Sequence, residues 1–450
     1  MEPTIRTEVA TGKADITPPP GIAMAGYGLD APRIATGTCT PLTVRCTVLW
    51  MAGNPSVLVT ADLLGFPRRL HQRIRAAVVG LGVGSADFVL TATHTHNGPV
   101  ASADVTAYTL YNITNSHQLD LITTYAEWVG ERVVALVRDT LAATARPCVL
   151  DYQVTGQSFS INREAMPEVE TQLPVLVARS AGGDPLTILF GYGCHPVAAP
   201  MLAEFDADYP GRAIAVIEQS TGAFAQFLPG AAGDQNPEPV NSWVGVEAAS
   251  AGLGEAVVRA AASPGRPVSG PVESAYAELD VPLDLPPDLD GFRQQFAARQ
   301  ANTAMPGWMR RHAKMMIGQI DDGSYATGVA VPLQGWVFTG GEPLRIAMIG
   351  GEPVAGYAAR LRQRHGGPDG VWVLGYAGEL PTYLPTDDLL AAGGAWQYAS
   401  GWSPDHPQIG GGAMCCYGLI GHFRSQGQDG AVETTIINGL AELLSRRRCG

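Results

Sequence analysis

Short apolar runs rich in β-branched residues alternate with stretches of helical period along almost the whole chain, and few architectures accept that alternation. The segments VRCTVLW (44–50) and SVLVTADLLGF (56–66) have the length and composition of buried strands. Apolar residues then recur at helical spacing from Arg68 to Val79. Gly80, Gly82 and Gly84 end that helix before DFVLTATHTH (87–96), a further strand that finishes in two histidines. The spacing predicts a helix over 119–141 and strands at PCVLDYQV (147–154), PVLVAR (174–179) and LTILFGYG (186–193). A helix over 211–219, the strand AFAQFLPG (223–230) and an alanine-rich helix over 246–262 come next. ESAYAELDVPL (273–283), VAVPLQGWVF (329–338), LRIAMIGG (344–351) and VWVLGYAG (371–378) read as strands, with a helix over 355–364 and a closing helix over 431–448. The stretch 286–328 breaks the rhythm with Pro286, Pro287, Pro306 and a methionine-rich helix MRRHAKMM (309–316), which suits either a lid or a peripheral helical insertion.

This pattern predicts an α/β fold, a mixed β-sheet core flanked by helices, forming one catalytic unit over 1–450. With hydrophobic residues at 46% and charged residues at 16%, the chain can bury a large interior. A formal charge of −13 repels nucleic acid and anionic membrane surfaces. The basic run Arg446, Arg447 and Arg448 falls in the last turn of the closing helix, where cations complement the helix dipole. No apolar run reaches the ~20 residues a bilayer span needs, so no stable membrane association is expected. The opening residues lack the apolar segment of an export signal, and the seven cysteines contain no CxxC pair. A cytoplasmic protein acting on a small molecule is the expectation, and a homo-oligomer is compatible with it.

Candidate chemistry sits where strands end. In THTHNGP, His94 and His96 at i and i+2 leave a strand on the same side, so both can address one site, together as metal ligands or as a ligand and its neighbour. Metallo-β-lactamase-like sites carry an Asp two residues after the second His, a place held here by Gly98. His195 closes the apolar strand of GYGCHPVAAP, and Glu352 follows another through two glycines in IGGEPVAG. Glu342, in TGGEP, precedes its strand and is the weaker candidate. Ligands of open α/β sheets collect at the carboxyl ends of strands, so these groups can converge on a cation. In LPGAAGDQNP, small residues around Gly233 could offer backbone N–H groups to an oxyanion, and Asp234 could orient a histidine.

These stretches, in this order, resemble the neutral/alkaline ceramidase superfamily. GKADITPPPGIAMAGYG, VTADLLGF, TATHTHNGP, SINRE, ADYPGRA, GAAGDQNP, GGEPVAG and YLPTDD correspond to that family's successive motifs between about residues 10 and 400. The resemblance implies the family's catalytic-domain fold without its C-terminal immunoglobulin-like domain. It implies one Zn²⁺ held by His94, His195, Glu352 and Tyr383, with His96 and Arg163 as catalytic residues and Asp62, Asp208, Gly233 and Asp234 in supporting or substrate-binding roles. Departures bear on the substrate. The ceramide-cleaving members' GDxSPN serine turn has Gln235 and Asn236 here, and Glu164 and Ala165 stand where they have a longer SP-containing stretch. Their EEY and YEG motifs appear only as Asp387, Asp388 and AWQYAS. The expected activity is therefore zinc-dependent cleavage of an amide bond in a small N-acyl or peptide-like metabolite through an activated water. Ester or lactone hydrolysis, amide-forming acyl transfer, and ligand binding without turnover are the alternatives.

Overall fold

A computed structural model describes residues 7–102, 111–285, 287–392 and 419–445. The AWQYAS stretch, the basic run 446–448 and Cys415, Cys416 and Cys449 lie outside the described residues. A mixed sheet forms the core, flanked by helices. Its strands are hydrogen-bonded in the order Val371–Leu374, Leu344–Ile349, Gly328–Gly340, Arg266–Asp284, Arg146–Gly156, Thr7–Asp15, Thr43–Met51, Asn54–Ala61 and Phe88–Ala92. From Arg146–Gly156 a branch continues through Gln172–Arg179 and Pro185–Phe190 to Phe224–Phe227. The two ends of the main order meet. Thr91 pairs with Ala377, and the Gly378 N–H donates to the Leu90 carbonyl at 2.6 Å, so the sheet curls back on itself.

Three neighbouring strand pairs in this sheet are parallel: Asn54–Ala61 with Phe88–Ala92, Pro185–Phe190 with Phe224–Phe227, and Leu344–Ile349 with Val371–Leu374. Parallel pairing requires a crossover, and each pair has a helix in it: Arg68–Val79, Asp208–Thr221 and Ala355–Arg364. The period-2 alternation of the strands separates two environments. Leu58, Val89, Leu176, Leu189, Ile346, Met348, Trp372 and Leu374 share one interior core inside the curled sheet. Their sequence neighbours face the flanking helices instead. Val57, Val59 and Leu90 pack with Leu70 and Ile74, Ile188 and Phe190 with Ile214 and Ile217, and Ala347 and Val373 with Tyr357 and Leu361. These strands therefore read as continuous apolar runs because both faces are buried.

Several expected strands stop short: those expected over 186–193, 223–230, 344–351 and 371–378 end at Phe190, Phe227, Ile349 and Leu374. The strand expected over 56–66 ends at Ala61, and the one expected over 87–96 ends at Ala92, where hydrogen bonding turns from the sheet to the loops described below. The stretch 286–328 contains two helices, Leu289–Ala301 and Gly307–Asp322, packed through Phe292, Phe296, Ala313 and Met316 with Ile420. Asp30 caps the second helix by accepting from the Trp308 N–H at 3.2 Å, and Arg311 donates to the Leu29 carbonyl at 2.6 Å. Among the described residues no helix is long and apolar enough to cross a membrane.

Candidate metal centre

Each parallel strand pair delivers polar groups from its carboxyl ends, and the three pairs deliver them to one place. The first supplies His94. Its φ of +68° is a left-handed conformation, so the chain has left the strand and alternation does not set the ring's direction. The residues after the partner strand set it: the Leu63 carbonyl accepts from the His94 N–H at 2.9 Å, and the Leu64 carbonyl lies 2.6 Å from Nδ1. Asp62 braces the same corner, accepting from the Thr43 N–H and hydroxyl at 2.7 and 2.9 Å and from the Thr93 hydroxyl at 3.2 Å.

The second pair repeats this logic. His195 donates its N–H to the Gln235 carbonyl at 3.0 Å, and its Nδ1 lies 2.6 Å from the Ala232 carbonyl. The turn that carries these carbonyls packs on the third pair's loop. Gly233 donates to the Pro353 carbonyl at 2.9 Å, and a Cβ there would lie 2.6 Å from the Glu352 carbonyl oxygen, so only glycine permits the approach. Glu352 follows Leu344–Ile349, and Glu352–Pro353 pairs in parallel with Tyr383–Leu384, which sets Glu352 beside Tyr383.

A carbonyl can only accept, so Nδ1 of His94 and of His195 carries the proton, and in the neutral rings each Nε2 presents a lone pair. Among the described residues neither buried Nε2 atom has a hydrogen-bond partner, and they lie 3.2 and 3.1 Å from the same oxygen of Glu352. Donors of a tetrahedral zinc site sit ~3.3 Å apart when metal–ligand distances are ~2.0–2.1 Å. The donor set therefore fits a small divalent cation. The ligating nitrogens of His94, His96 and His195 all fall within 4.8 Å of one another, and these three histidines could hold a metal ion. Burial holds the His195 imidazole down to about 4 and, with His94 and His195 beside it, keeps His96 well below its usual value. Burial alone would raise Glu352, but His94 and His195 keep its carboxyl well below the ordinary range. Neutral imidazoles and an ionised carboxylate are the protonation states a metal requires.

The His96 ring lies 5.0 Å from that of His94 and 5.6 Å from that of His195, and among the described residues neither of its nitrogens has a hydrogen-bond partner. It is held from behind. Arg33 donates to the carbonyls of Ala25 and His96, and the ring of Tyr27 stands edge-on to His96 at 5.0 Å. Arg163 donates to the Gly233 carbonyl at 2.6 Å and to the Tyr383 hydroxyl at 3.2 Å, and Tyr383 stacks on His195 at 6.4 Å.

One reading of the 228–237 turn needs correction. Asp234 does not orient a histidine: it accepts from the Ala355 N–H at 2.8 Å, from Gln235 at 3.0 Å and from Asn162 at 2.7 Å, fixing the helix that follows Glu352 and the strand that precedes Arg163. Within the turn, the N–H groups of Gly230, Gly233 and Gln235 are taken by the carbonyls of Tyr192, Pro353 and Ala232. Asp208 acts as a brace. It accepts from the N–H groups of Ala198, Ala199 and Tyr209, tying down the loop after His195, and burial raises its carboxyl to about 7.

Sequence reasoning missed Tyr376, Tyr27 and Arg33. Tyr376 lies at the carboxyl end of Val371–Leu374, its ring 4.4 Å from that of His94 and 6.3 Å from that of His195, and burial pushes its phenol well above the usual value. The strand-end rule that picked out His94, His195 and Glu352 applied equally to the tyrosine of VLGYAG.

No protein-family model matches the chain, and no curated protein matches it. Among solved structures, a neutral ceramidase from Pseudomonas aeruginosa is similar to it with a TM-score of 0.67 and 18% identity, over 99% of this chain and 76% of that one. A ceramidase complexed with C2 is similar with a TM-score of 0.66 and 16% identity, over 98% of this chain and 76% of that one. The fold is thus that of the neutral ceramidases.

Proposed function

We propose that the chain is a cytoplasmic zinc-dependent hydrolase that cleaves the amide bond of a small N-acyl or peptide-like metabolite. The observation that carries this reading is the convergence of two imidazole lone pairs on one buried carboxylate oxygen, with His96 beside them and uncommitted. His94, His195 and Glu352 would hold the ion, and the pairing of Tyr383 with Glu352 supports Tyr383 as the fourth ligand. A divalent zinc ion there supplies Lewis acidity, making water nucleophilic near neutral pH and polarising a carbonyl.

The chain's own groups then move protons and hold charge. As water's oxygen bonds the carbonyl carbon, His96 accepts the proton through a free ring nitrogen, and it returns that proton to the nitrogen as the C–N bond breaks. Arg163 places a fixed positive charge beside Tyr383, where charge on the carbonyl oxygen would develop. Two solved neighbours are named as ceramidases, which supports amide chemistry. A smaller, more polar substrate than ceramide is supported by Glu164, whose Oε1 is buried without a partner next to Arg163 and whose carboxyl burial raises to about 7.

Elemental analysis of purified protein, with a screen of N-acyl amines, N-acyl amino acids and matched esters before and after chelation, tests this reading. We expect one zinc per chain and amide turnover that chelation abolishes and zinc restores. His96→Ala should keep the zinc and lose ~10²–10⁴-fold in rate. Absence of zinc, or turnover of esters alone, would overturn it.

A further inference from the structure

Tyr376 combines two unfavourable features that packing does not need. Its φ is +57°, a left-handed conformation that costs a non-glycine residue roughly 1–2 kcal/mol. The backbone is pinned in that state from both sides: its N–H donates to the Gly351 carbonyl at 3.0 Å, and its carbonyl accepts from the Thr91 hydroxyl at 3.0 Å. Tyr376 is 3% exposed, and among the described residues its buried hydroxyl has no hydrogen-bond partner. An unsatisfied buried hydroxyl costs about 1–3 kcal/mol, a penalty that phenylalanine would avoid while filling the same space. The site explains what foldedness does not. The ring lies 4.4 Å from that of His94 and 6.3 Å from that of His195, so the unused donor is carried on a ring that packs against the two imidazoles whose lone pairs converge on Glu352. His94, whose ring packs on that of Tyr376, also has a positive φ.

We propose that Tyr376 is a catalytic residue whose neutral hydroxyl donates a hydrogen bond to the substrate's carbonyl oxygen as that oxygen gains charge, acting with Arg163. This rests on the amide-hydrolase reading. The hydroxyl keeps its proton throughout, so the donation changes no atom balance: the C–O bond forms, the C–N bond breaks, and the proton passes by way of His96. A donor aimed at the developing charge is worth ~10²–10³-fold in rate.

The test compares Tyr376→Phe with the wild-type zinc protein, using p-nitroacetanilide as a minimal amide and methylphosphonate as a tetrahedral oxyanion. We expect unchanged zinc stoichiometry, a melting temperature equal to or above wild type, a kcat lower by ~10²–10³-fold with KM within about threefold, and calorimetric methylphosphonate affinity weakened ~10-fold or more. Wild-type kcat and methylphosphonate affinity in the variant would overturn the proposal and leave the amidase reading standing. Wild-type protein that binds zinc and methylphosphonate but turns over no amide would overturn the amidase reading instead. Should Tyr376→Phe lose zinc, the hydroxyl serves the metal and the proposal fails.

Discussion

Replacing Glu352 with glutamine separates a metal site from a merely structural cluster. Without an ion, three acceptors face one another: two Nε2 lone pairs and the carboxylate oxygen 3.2 and 3.1 Å away. A glutamine amide brings N–H donors to the same spot, and two hydrogen bonds at ~0.5–1.5 kcal/mol each would stabilise the metal-free variant by roughly 1–3 kcal/mol. For 450 residues, an unfolding entropy of about 2.1 cal/mol/K per residue gives ~0.9 kcal/mol/K, so the metal-free variant should melt about 1–3 °C above metal-free wild type. Zinc reverses the order. At a concentration 100 times its Kd, wild type gains ~2.7 kcal/mol, or about 3 °C. Loss of a ligand weakens binding beyond the ~10–100-fold that loss of an outer-shell partner costs, which leaves the variant under about 0.4 kcal/mol of gain. Thermal melts after chelation, with and without added zinc, together with zinc calorimetry, read both effects. The reasoning is refuted if the variant binds zinc like wild type. It is equally refuted if the metal-free variant melts several degrees lower, because that outcome means Glu352 is paired with a protonated histidine whose loss of partner costs about 3–5 kcal/mol.

Gly233→Ala should strain the contact between the 228–237 turn and the Glu352 loop, because the added Cβ falls 2.6 and 3.0 Å from backbone oxygens of Glu352 and Pro353. We expect a loss of about 1–3 kcal/mol and weaker zinc binding, while Gly182→Ala, whose nearest contacts at 3.6 Å are flexible side chains, stays like wild type; equal zinc affinities in the two variants would refute the contact's role. Acid sensitivity should trace in part to His312, which burial and the neighbouring Arg299 hold down at about 3 in the folded protein. Its folded value lies below the unfolded ~6.5, so the unfolded chain binds the extra proton, and stability is full above pH ~6.5 and falls as pH drops toward 3. His312→Leu should flatten that fall in melting temperature, and an unchanged slope between pH 6.5 and 3 would refute it.

Local periodicity was enough to bound the helices Arg68–Val79 and Ala355–Arg364, because each is amphipathic and flanked by glycine, proline or a strand. It also placed His94, His195 and Glu352 at strand ends that do converge. The reason given for His94 and His96 facing one site was wrong in mechanism. The strand stops at Ala92, and a left-handed residue plus carbonyls from positions 63 and 64 aim the ring. Such partners are invisible to local pattern. The Ala232 carbonyl that orients His195 is 37 positions away, and SINRE meets the 228–237 turn only because Ser160–Asn162 pairs with Gln235–Pro237. The first strand, Thr7–Asp15, was not legible from local pattern, since its polar-spaced sequence lacks a strong run of β-branched residues.

Because each parallel pair is a separate crossover, the donors are spread from position 94 to position 352 and none of the three units owns the site. A chain emerging from the ribosome would show its histidines long before its carboxylate. Under the proposed function, full coordination would require all three crossovers to be docked, so metal affinity would report on closure of the curled sheet.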